Sequence, residues 1–436
     1  MNALSNLQSL HEWRSSGNIL VMNPFQPAQL RSIAQAHGTP VWVYDAATIR
    51  DRIASLKAFD VVRFAQKANS NIHLLRLMRE QGVCIDAVSL GEIERAQAAG
   101  FAVGAGPISG IVFTADLFDE ATLSRVVADG IPVNAGSIDM LRQLGARTVG
   151  SSPGHRVWLR INPGFGHGHS NKTNTGGEHS KHGIWHTDLP EALAVIRAQG
   201  LHLVGVHMHI GSGVDYSHLG EVCGAMVDLV ARVDLPIEAI SAGGGLSVPY
   251  REGEPRIDVA HYFGLWNTAR QRIAAARGHP IQLELEPGRY LVAEAGVLLS
   301  EVRAVKHQGP QRFTLVDAGF NDLMRPALYG SHHEISLLPC NEQPRATAAT
   351  VVAGPLCESG DVFTQADGGV VLTRSLPEAQ VGDLLVFHDA GAYGASMSSN
   401  YNSRPLIAEV LVDGEQQRLI RRRQTVQELI ALEQVN

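Results

Sequence analysis

From about Val41 to Pro287, short apolar runs rich in β-branched residues alternate with longer stretches whose apolar positions recur at helical spacing. A run of four to eight such residues reads as a strand buried on both faces, and an amphipathic stretch between two runs reads as a crossover helix. The alternation therefore predicts parallel strands joined by helices. Eight strands can be placed: VVRFAQ (61–66), CIDAVS (84–89), IVFTA (111–115), IPVNAG (131–136), RVWLRIN (156–162), LVGVHMHI (203–210), IEAISAG (237–243) and IQLELE (281–286). Between them lie IHLLRLMREQG, IERAQAAG and DMLRQLGAR, each with one apolar face, and the first two end in the glycine that often closes a helix. Eight β/α units predict an α/β fold, a TIM (β/α)8 barrel.

Beyond Pro287 the pattern changes. LSEVRAVKHQ, RFTLVDAG, TAATVVAG, GVVLTR, DLLVFHD and IAEVLVD follow one another with turns and few helices, which predicts a second, mainly antiparallel β domain. The first forty residues hold one weak helical stretch, PAQLRSIAQAHG, ahead of VWVYD. The expected division is a barrel over 41–290 and a β domain made of 1–40 with 291–436. No internal repeat or low-complexity tract interrupts this organisation.

Composition narrows the classes. A chain of 436 residues suits two domains, and 44% apolar with 18% charged residues leaves no room for extensive disorder. The net charge of -7 is modest, and the cluster Arg421–Arg423 has no interleaved aromatics, so no nucleic-acid partner is expected. No charged start precedes an apolar h-region and no apolar run is long enough for a bilayer, so neither export nor membrane insertion is expected and a cytoplasmic location is. Cys84, Cys223, Cys340 and Cys357 lie far apart without CxxC pairing, which argues against a zinc ribbon or a disulfide framework.

In a TIM barrel the chemistry lies at the C-terminal ends of the strands. There the sequence places Lys67, Asp86 with Ser89, His209 with Gly211 and Ser212, Gly243–Gly245, and Glu286. Lys67 is either a solvated strand end or a lysine in a partly desolvated pocket, where its pKa falls and it can form a Schiff base with an aldehyde. GGGLS (243–247) and HIGSG (209–213) are ordinary glycine turns or a paired anion site, since each lets backbone N–H groups approach a phosphate. Glu286 either pairs with Arg289 or holds a pyridinium nitrogen protonated, and His209 is a core histidine or a ring placed to stack on a flat cofactor. The stretch HGHSNKTNTGGEHSKHG (167–183) has four histidines but no carboxylate or Cys at ligand-like spacing, so it reads as a lid over a polar substrate and no metal is expected.

FAQKANSN, DAVSLGEIERA, NPGFGHGHS, SKHGIW, HMHIGSG, GGGLS, EPGRYLV, DAGFNDLMRPALYG, GPLCESGDVF and GAYGASMSSNYNSRP together resemble the fold-type III pyridoxal-phosphate decarboxylases, and within them the diaminopimelate decarboxylases of proteobacterial type. They run in the family's order over nearly the whole chain. The resemblance implies pyridoxal 5'-phosphate bound through a Schiff base on Lys67, with His209 stacked on its ring and Glu286 on its pyridine nitrogen. It places Asp86, Ser212, Gly243, Gly244, Gly245 and the turn Glu286, Pro287, Gly288, Arg289 around the cofactor, with Tyr393 also touching it. It implies that Arg289, Arg325, Tyr329 and Tyr393 bind the substrate, with the two arginines and Tyr329 on the carboxylate that is not lost. Cys357 as proton donor and Glu358 as partner of a distal ammonium would be contributed across a homodimer interface, giving shared active sites. The implied reaction is decarboxylation of meso-2,6-diaminopimelate, a small-molecule substrate, to L-lysine. The N-terminal extension before Pro40 and the segment 331–348 match nothing in this pattern.

Three other classes make distinct predictions. A racemase or a simple diamine-precursor decarboxylase of the same fold would lack the CES segment combined with two arginines, since an arginine repels a chain ending in a bare ammonium. A non-catalytic homologue would keep the phosphate turns but lose Lys67 or Cys357. A metal-dependent hydrolase would lose activity to chelators.

Overall fold

The computed structural model describes residues 12–14, 20–22, 24–104, 108–165, 176–209 and 216–435. The chain divides into two compact units, one of residues 50–248 with 255–291, the other of 1–49, 249–254 and 292–436.

The first unit is the barrel. Eight strands, Val61–Ala65, Cys84–Ala87, Ile111–Ala115, Val133–Ala135, Arg156–Asn162, His202–His207, Ala239–Ser241 and Gln282–Leu285, pair in parallel in that order. The last pairs with the first, Glu284 opposite Val61, which closes the sheet on itself. Every strand predicted for this region is present, Ile111–Ala115 and Arg156–Asn162 with the bounds expected and the other six shorter or shifted by a residue or more. The crossover helices begin where the sequence supplies a cap. The side chains of Asn71, Ser89, Asp119, Ser137 and Asp258 accept hydrogen bonds from the backbone N–H groups of His73, Glu92, Thr122, Met140 and His261, satisfying donors that a helix start leaves orphaned. Several helices end at a glycine in the left-handed conformation, among them Gly130, Gly200 and Gly278.

The second unit is a mainly antiparallel sheet. Its long strand Gly296–Gln308 pairs antiparallel with Val41–Asp45, Gln311–Val316 and Leu384–Phe387. Parallel pairs join Val41–Asp45 to Ala408–Asp413 and Gln311–Val316 to Thr347–Ala353. Its core gathers Phe25, Leu30, Ile33, Val41, Val43, Val297, Leu299, Leu338, Leu384, Val386, Val410 and Val412. The helix Pro27–His37 contributes Leu30 and Ile33 to that core.

Several elements differ from expectation. Val41–Asp45, grouped by the alternation with the barrel, belongs to the antiparallel sheet, because all five residues are buried and pair with strands from the C-terminal part. GVVLTR, expected as a strand, contains only the bridge Gln365 to Val371, and the strand starts at Arg374 (Arg374–Pro377). Gly368 and Gly369 take φ of 75° and 78°, turning the chain there and leaving Val370 and Val371 exposed. Strands Ile335–Leu338 and Gln416–Arg421 were not read from the sequence. The first is too short to show a period, and the second alternates weakly because four of its six residues are exposed.

Candidate active site

The barrel interior is polar where a packed core would be apolar. Arg63 forks onto Glu284, Nε to Oε2 at 2.6 Å and Nη2 to Oε1 at 3.0 Å, and its Nη1 donates to the carbonyl of Ser109 at 2.7 Å. Both side chains are almost wholly buried, so the pair survives only because each charge meets its counter-charge and the third donor is satisfied.

Nearer the C-terminal ends of the strands, His207, Ser241 and Glu286 meet. His207 Nε2 lies 2.7 Å from one oxygen of Glu286, and Ser241 Oγ donates to the other at 3.2 Å. Burial pushes the Glu286 carboxyl up, but the charge and hydrogen bond of His207, with the charge of Arg160, outweigh it and hold the group below the ordinary carboxylate range. Glu286 is therefore an ionised carboxylate at the tip of the last barrel strand. Asp86 is also buried. Burial first and then the charge of Glu286 push its carboxyl up to about 6, opposed by Lys67 and by a hydrogen bond from Thr114. Its Oδ1 has no hydrogen-bond partner among the described residues.

His209 lies two residues beyond the sixth strand, its ring half-buried. The backbone N–H of Gly244 donates to its Nδ1 at 3.2 Å. Burial, then the charges of Arg160 and Lys67, lowers its pKa well below the ordinary imidazole value, so the ring is neutral and its Nε2 carries the proton. Gly243 has φ of 63°, and a Cβ there would lie 2.4 Å from the carbonyl oxygen of Met208; one on Gly244 would lie 2.6 Å from that of Glu286. Only glycine lets this turn run so close to its neighbours. Gly245 follows at φ of 101°. The backbone N–H of Ala65 donates to the Pro287 carbonyl at 3.2 Å, and after Gly288 the short helix Arg289–Val292 begins, with Arg289 half-buried.

Lys67 lies beyond the strand expected to end with it, and of the two alternatives for its surroundings the structure has the solvated one. The strand ends at Ala65, and Lys67 sits in a 3-10 turn, Gln66–Ala68, that carries it past the strand end. Its side chain is exposed, not desolvated. Gln66, buried beside it, anchors the turn by donating to the Glu92 carbonyl at 3.0 Å. Ser212, with Gly211, lies outside the described residues. Of the histidine-rich stretch, 167–175 also lies outside them. His182 is engaged by Asp116 at 2.7 Å, and Asn162 ties the far end of the stretch by bonds to the backbone of Gly177 and His182. Among the described residues no group of three His, Cys, Asp or Glu side chains is arranged to hold a metal ion.

In the sheet unit, Arg325 and Tyr329 open and close the short helix Arg325–Tyr329; Arg325 is buried and Tyr329 half-buried. Cys357 and Glu358 are exposed on a turn, where the Cys357 backbone N–H donates to Asn402 Oδ1 at 3.0 Å and Tyr401 donates to Glu358. Among the described residues, the non-glycine residues with positive φ are Asp389, Tyr393, Asn402 and Ser403, all within fifteen residues of chain. Such backbone costs of order 1–3 kcal/mol per residue and gathers at functional segments, which marks the stretch containing Tyr393.

The comparisons with known proteins agree with this chemistry. Residues 46–293 match the model of the pyridoxal-dependent decarboxylase family, pyridoxal binding domain. The chain belongs to the pyridoxal-dependent decarboxylases. It is 67% identical over 399 residues, 91% of this chain and 94% of the relative, to the diaminopimelate decarboxylase of Escherichia coli K12. A crystal structure of a diaminopimelate decarboxylase superposes with a TM-score of 0.91 at 65% identity, covering 94% of this chain and 97% of that one. The Helicobacter pylori diaminopimelate decarboxylase complexed with L-lysine gives 0.82 at 31% identity, covering 92% and 98%. This decarboxylase is thus a carboxy-lyase that uses pyridoxal phosphate, acting on a small molecule.

The residues present fit that cofactor on their own account. A carboxylate at a barrel-strand tip suits a protonated ring nitrogen, a neutral imidazole suits stacking, the Asp86 oxygen without a partner among the described residues calls for a donor, and the glycines at 243–245 let the backbone run close to its neighbours there. Sequence reasoning missed His207, Ser241, Arg160 and the Arg63–Glu284 pair. Their signal was available: polar residues inside runs otherwise apolar, at alternating positions that face the barrel interior.

Proposed function

We propose that this enzyme decarboxylates meso-2,6-diaminopimelate to L-lysine and carbon dioxide, the last step of a route to lysine. The observation that carries the reading is the 67% identity over nearly the full length to a protein named diaminopimelate decarboxylase. The barrel binds the cofactor, while the sheet unit completes the active site and forms the interface of a cytoplasmic homodimer.

Lys67 is the residue that holds the cofactor covalently, and its exposed amine on the 3-10 turn supports that role, since it is accessible to an aldehyde. Bound there, pyridoxal phosphate supplies an electron sink for the pair left when the carbon–carboxylate bond breaks. Glu286, already ionised, holds the ring nitrogen, with Asp86 beside it. His209 stacks on the ring. Gly243, Gly244, Gly245 and Ser212, with the turn Pro287, Gly288 and Arg289, hold the phosphate, and Tyr393 contacts the cofactor.

Arg289, Arg325 and Tyr329, with Tyr393, hold the substrate, and the arginines suit a carboxylate at its far end. A chain ending in a bare ammonium would be repelled, which selects against ornithine and lysine. Glu358 of one protomer pairs with the distal ammonium in the other's site, and Cys357 delivers the proton that replaces carbon dioxide. The exposure of both in the single chain supports a role across an interface.

Two measurements test the reading. Purified protein with pyridoxal phosphate, given diaminopimelate, lysine, ornithine or arginine separately, is expected to release carbon dioxide from diaminopimelate; release from another substrate alone overturns it. Borohydride trapping followed by peptide mass spectrometry should place the adduct on Lys67, and Lys67→Ala should abolish both adduct and turnover. An adduct elsewhere removes Lys67 from its role.

A further inference from the structure

His207, Ser241 and Glu286 stand at the C-terminal ends of three neighbouring barrel strands, and the first two have no part in the reaction as described so far. His207 is the last residue of its strand and lies in register opposite Ser241, the last residue of the next. Glu286 directly follows the eighth strand. All three are buried, at 1%, 1% and 8% exposure. The two donors take different oxygens of the carboxylate, His207 Nε2 at 2.7 Å and Ser241 Oγ at 3.2 Å. An ionised carboxylate only accepts, so His207 Nε2 must carry a hydrogen.

Ser241 is directed as well. Its Oγ accepts the backbone N–H of Gly243 at 3.1 Å, which leaves its single hydrogen for Glu286. The Glu286 backbone N–H in turn donates to the Gly243 carbonyl at 2.7 Å. The carboxylate and the glycine turn are therefore tied to each other by two routes.

The other buried pair of the barrel shows what this arrangement serves. Arg63 and Glu284 meet through two bonds, one to each carboxylate oxygen, and the third Arg63 donor is satisfied by a carbonyl. His207 gives one nitrogen to Glu286, and its buried Nδ1 has no partner among the described residues. A buried nitrogen left unmatched costs stability, so the histidine is a poor device for holding the barrel together. It is a good one for the carboxylate. Burial alone favours the protonated acid, whereas two donors aimed at its oxygens favour the charged form and still leave lone pairs for a third.

We infer that His207 is a positioning residue that sets the charge and aim of the Glu286 carboxylate, with Ser241 as the weaker second donor, and thereby keeps the cofactor's ring nitrogen protonated. The inference rests on the reading above that Glu286 pairs with that nitrogen, and it adds the device on which the pairing depends. His207→Gln keeps an N–H donor about where Nε2 sits, whereas His207→Phe keeps a ring and removes the donor.

The experiment loads the parent chain and the variants His207→Phe, His207→Gln, Ser241→Ala, Glu286→Gln and His207→Phe/Glu286→Gln with cofactor carrying nitrogen-15 in its ring. The nitrogen-15 resonance separates a pyridinium from a bare pyridine, and kcat and KM for diaminopimelate are measured beside it. The parent should show the pyridinium. His207→Phe is expected to lose that signal and to lower kcat about 10–100-fold, the effect of losing one hydrogen bond to a charged group, with KM changed far less. Ser241→Ala should lower kcat about 2–10-fold, as for a bond from a neutral hydroxyl. His207→Gln should restore the pyridinium and most of kcat, and the double variant should match Glu286→Gln alone, because the histidine acts through the carboxylate. If Glu286→Gln keeps both the pyridinium signal and the parent kcat, the reading of Glu286 and this inference both fall. If Glu286→Gln loses them but His207→Phe keeps them, or the two effects add in full, the inference alone is overturned. A His207→Phe enzyme that no longer holds the cofactor while Glu286→Gln still does also overturns it. Should His207→Phe not fold, His207→Gln decides: a parent-like spectrum and kcat uphold the donor role, and values as low as those of Glu286→Gln overturn it.

Discussion

The interior of the barrel and the core of the sheet unit are both buried, yet they are built from opposite materials. The sheet core is aliphatic, with Val41, Val43, Leu299, Leu338, Val386 and Val410 fully or almost fully buried. The barrel interior carries Arg63, Glu284, Asp86, His207 and Glu286, each under a tenth exposed. Burial of an ion costs several kcal/mol, and pairs such as Arg63–Glu284 at best recover that cost. The barrel therefore keeps its charges for what they hold, and its helices and strand closure carry its stability. The sheet unit does the reverse: its stability comes from apolar packing, and its candidate functional residues sit outside that core, on the helix bearing Arg325 and on the exposed turn bearing Cys357 and Glu358.

This contrast predicts which variants lose activity and which lose stability. The largest effect on turnover outside the barrel is expected at Cys357. Cys357→Ala should lower kcat by about 10²–10⁴-fold, the range for a general acid, while an exposed site keeps unfolding free energy within about 0.5 kcal/mol. Steady-state kinetics beside urea unfolding check both halves, and unchanged turnover removes Cys357 from the mechanism. Within the barrel, Glu284→Gln strands the Arg63 charge and should cost about 3–5 kcal/mol of stability. The double variant Arg63→Met/Glu284→Met should recover much of that loss. A single variant as stable as the parent would mean that the interior charges are not interdependent.

In the sheet unit, Leu338→Ala should cost about 2–5 kcal/mol through the cavity it leaves, with KM for diaminopimelate unaltered. A large KM change there would blur the contrast.

The smallest effect is one of pH. Burial lowers His388 from 6.5 to about 4, opposed by Glu334. Between these values the unfolded chain binds a proton that the folded chain does not, so stability rises with pH across the window. The contribution is complete above about pH 6.5 and declines toward pH 4, by up to about 3 kcal/mol. His388→Asn should flatten that slope in thermal unfolding measured from pH 4 to 7; an unchanged slope assigns it to other groups.

Much of the fold was legible in the sequence because it is local. All eight barrel strands show as apolar runs, and Asn71, Ser89, Asp119, Ser137 and Asp258 mark helix starts through bonds that span three residues or fewer. Where pairing crosses long sequence distances the local signal fails. Val41–Asp45 looks like any other buried strand, and only its pairing with Gly296–Gln308 and Ala408–Asp413 places it in the second sheet. Ile335–Leu338 is too short to carry a period.

The site divides in the same way. Lys67, His209, Gly243–Gly245 and Glu286 stood out because each is a chemically unusual residue at the end of a recognisable strand. His207 and Ser241 did not, since their meaning lies in a partner tens of residues away: His207 meets Glu286 across 79 positions, and Ser241 meets it across 45. Sequence alone determined the strands, the helix starts and the residue types able to do the chemistry, because propensity, periodicity and capping act over a few neighbours. Only the folded chain decided protonation states and tautomers, because those follow from burial and from which donor faces which acceptor. That is why the Glu286 carboxyl is held low although it is buried.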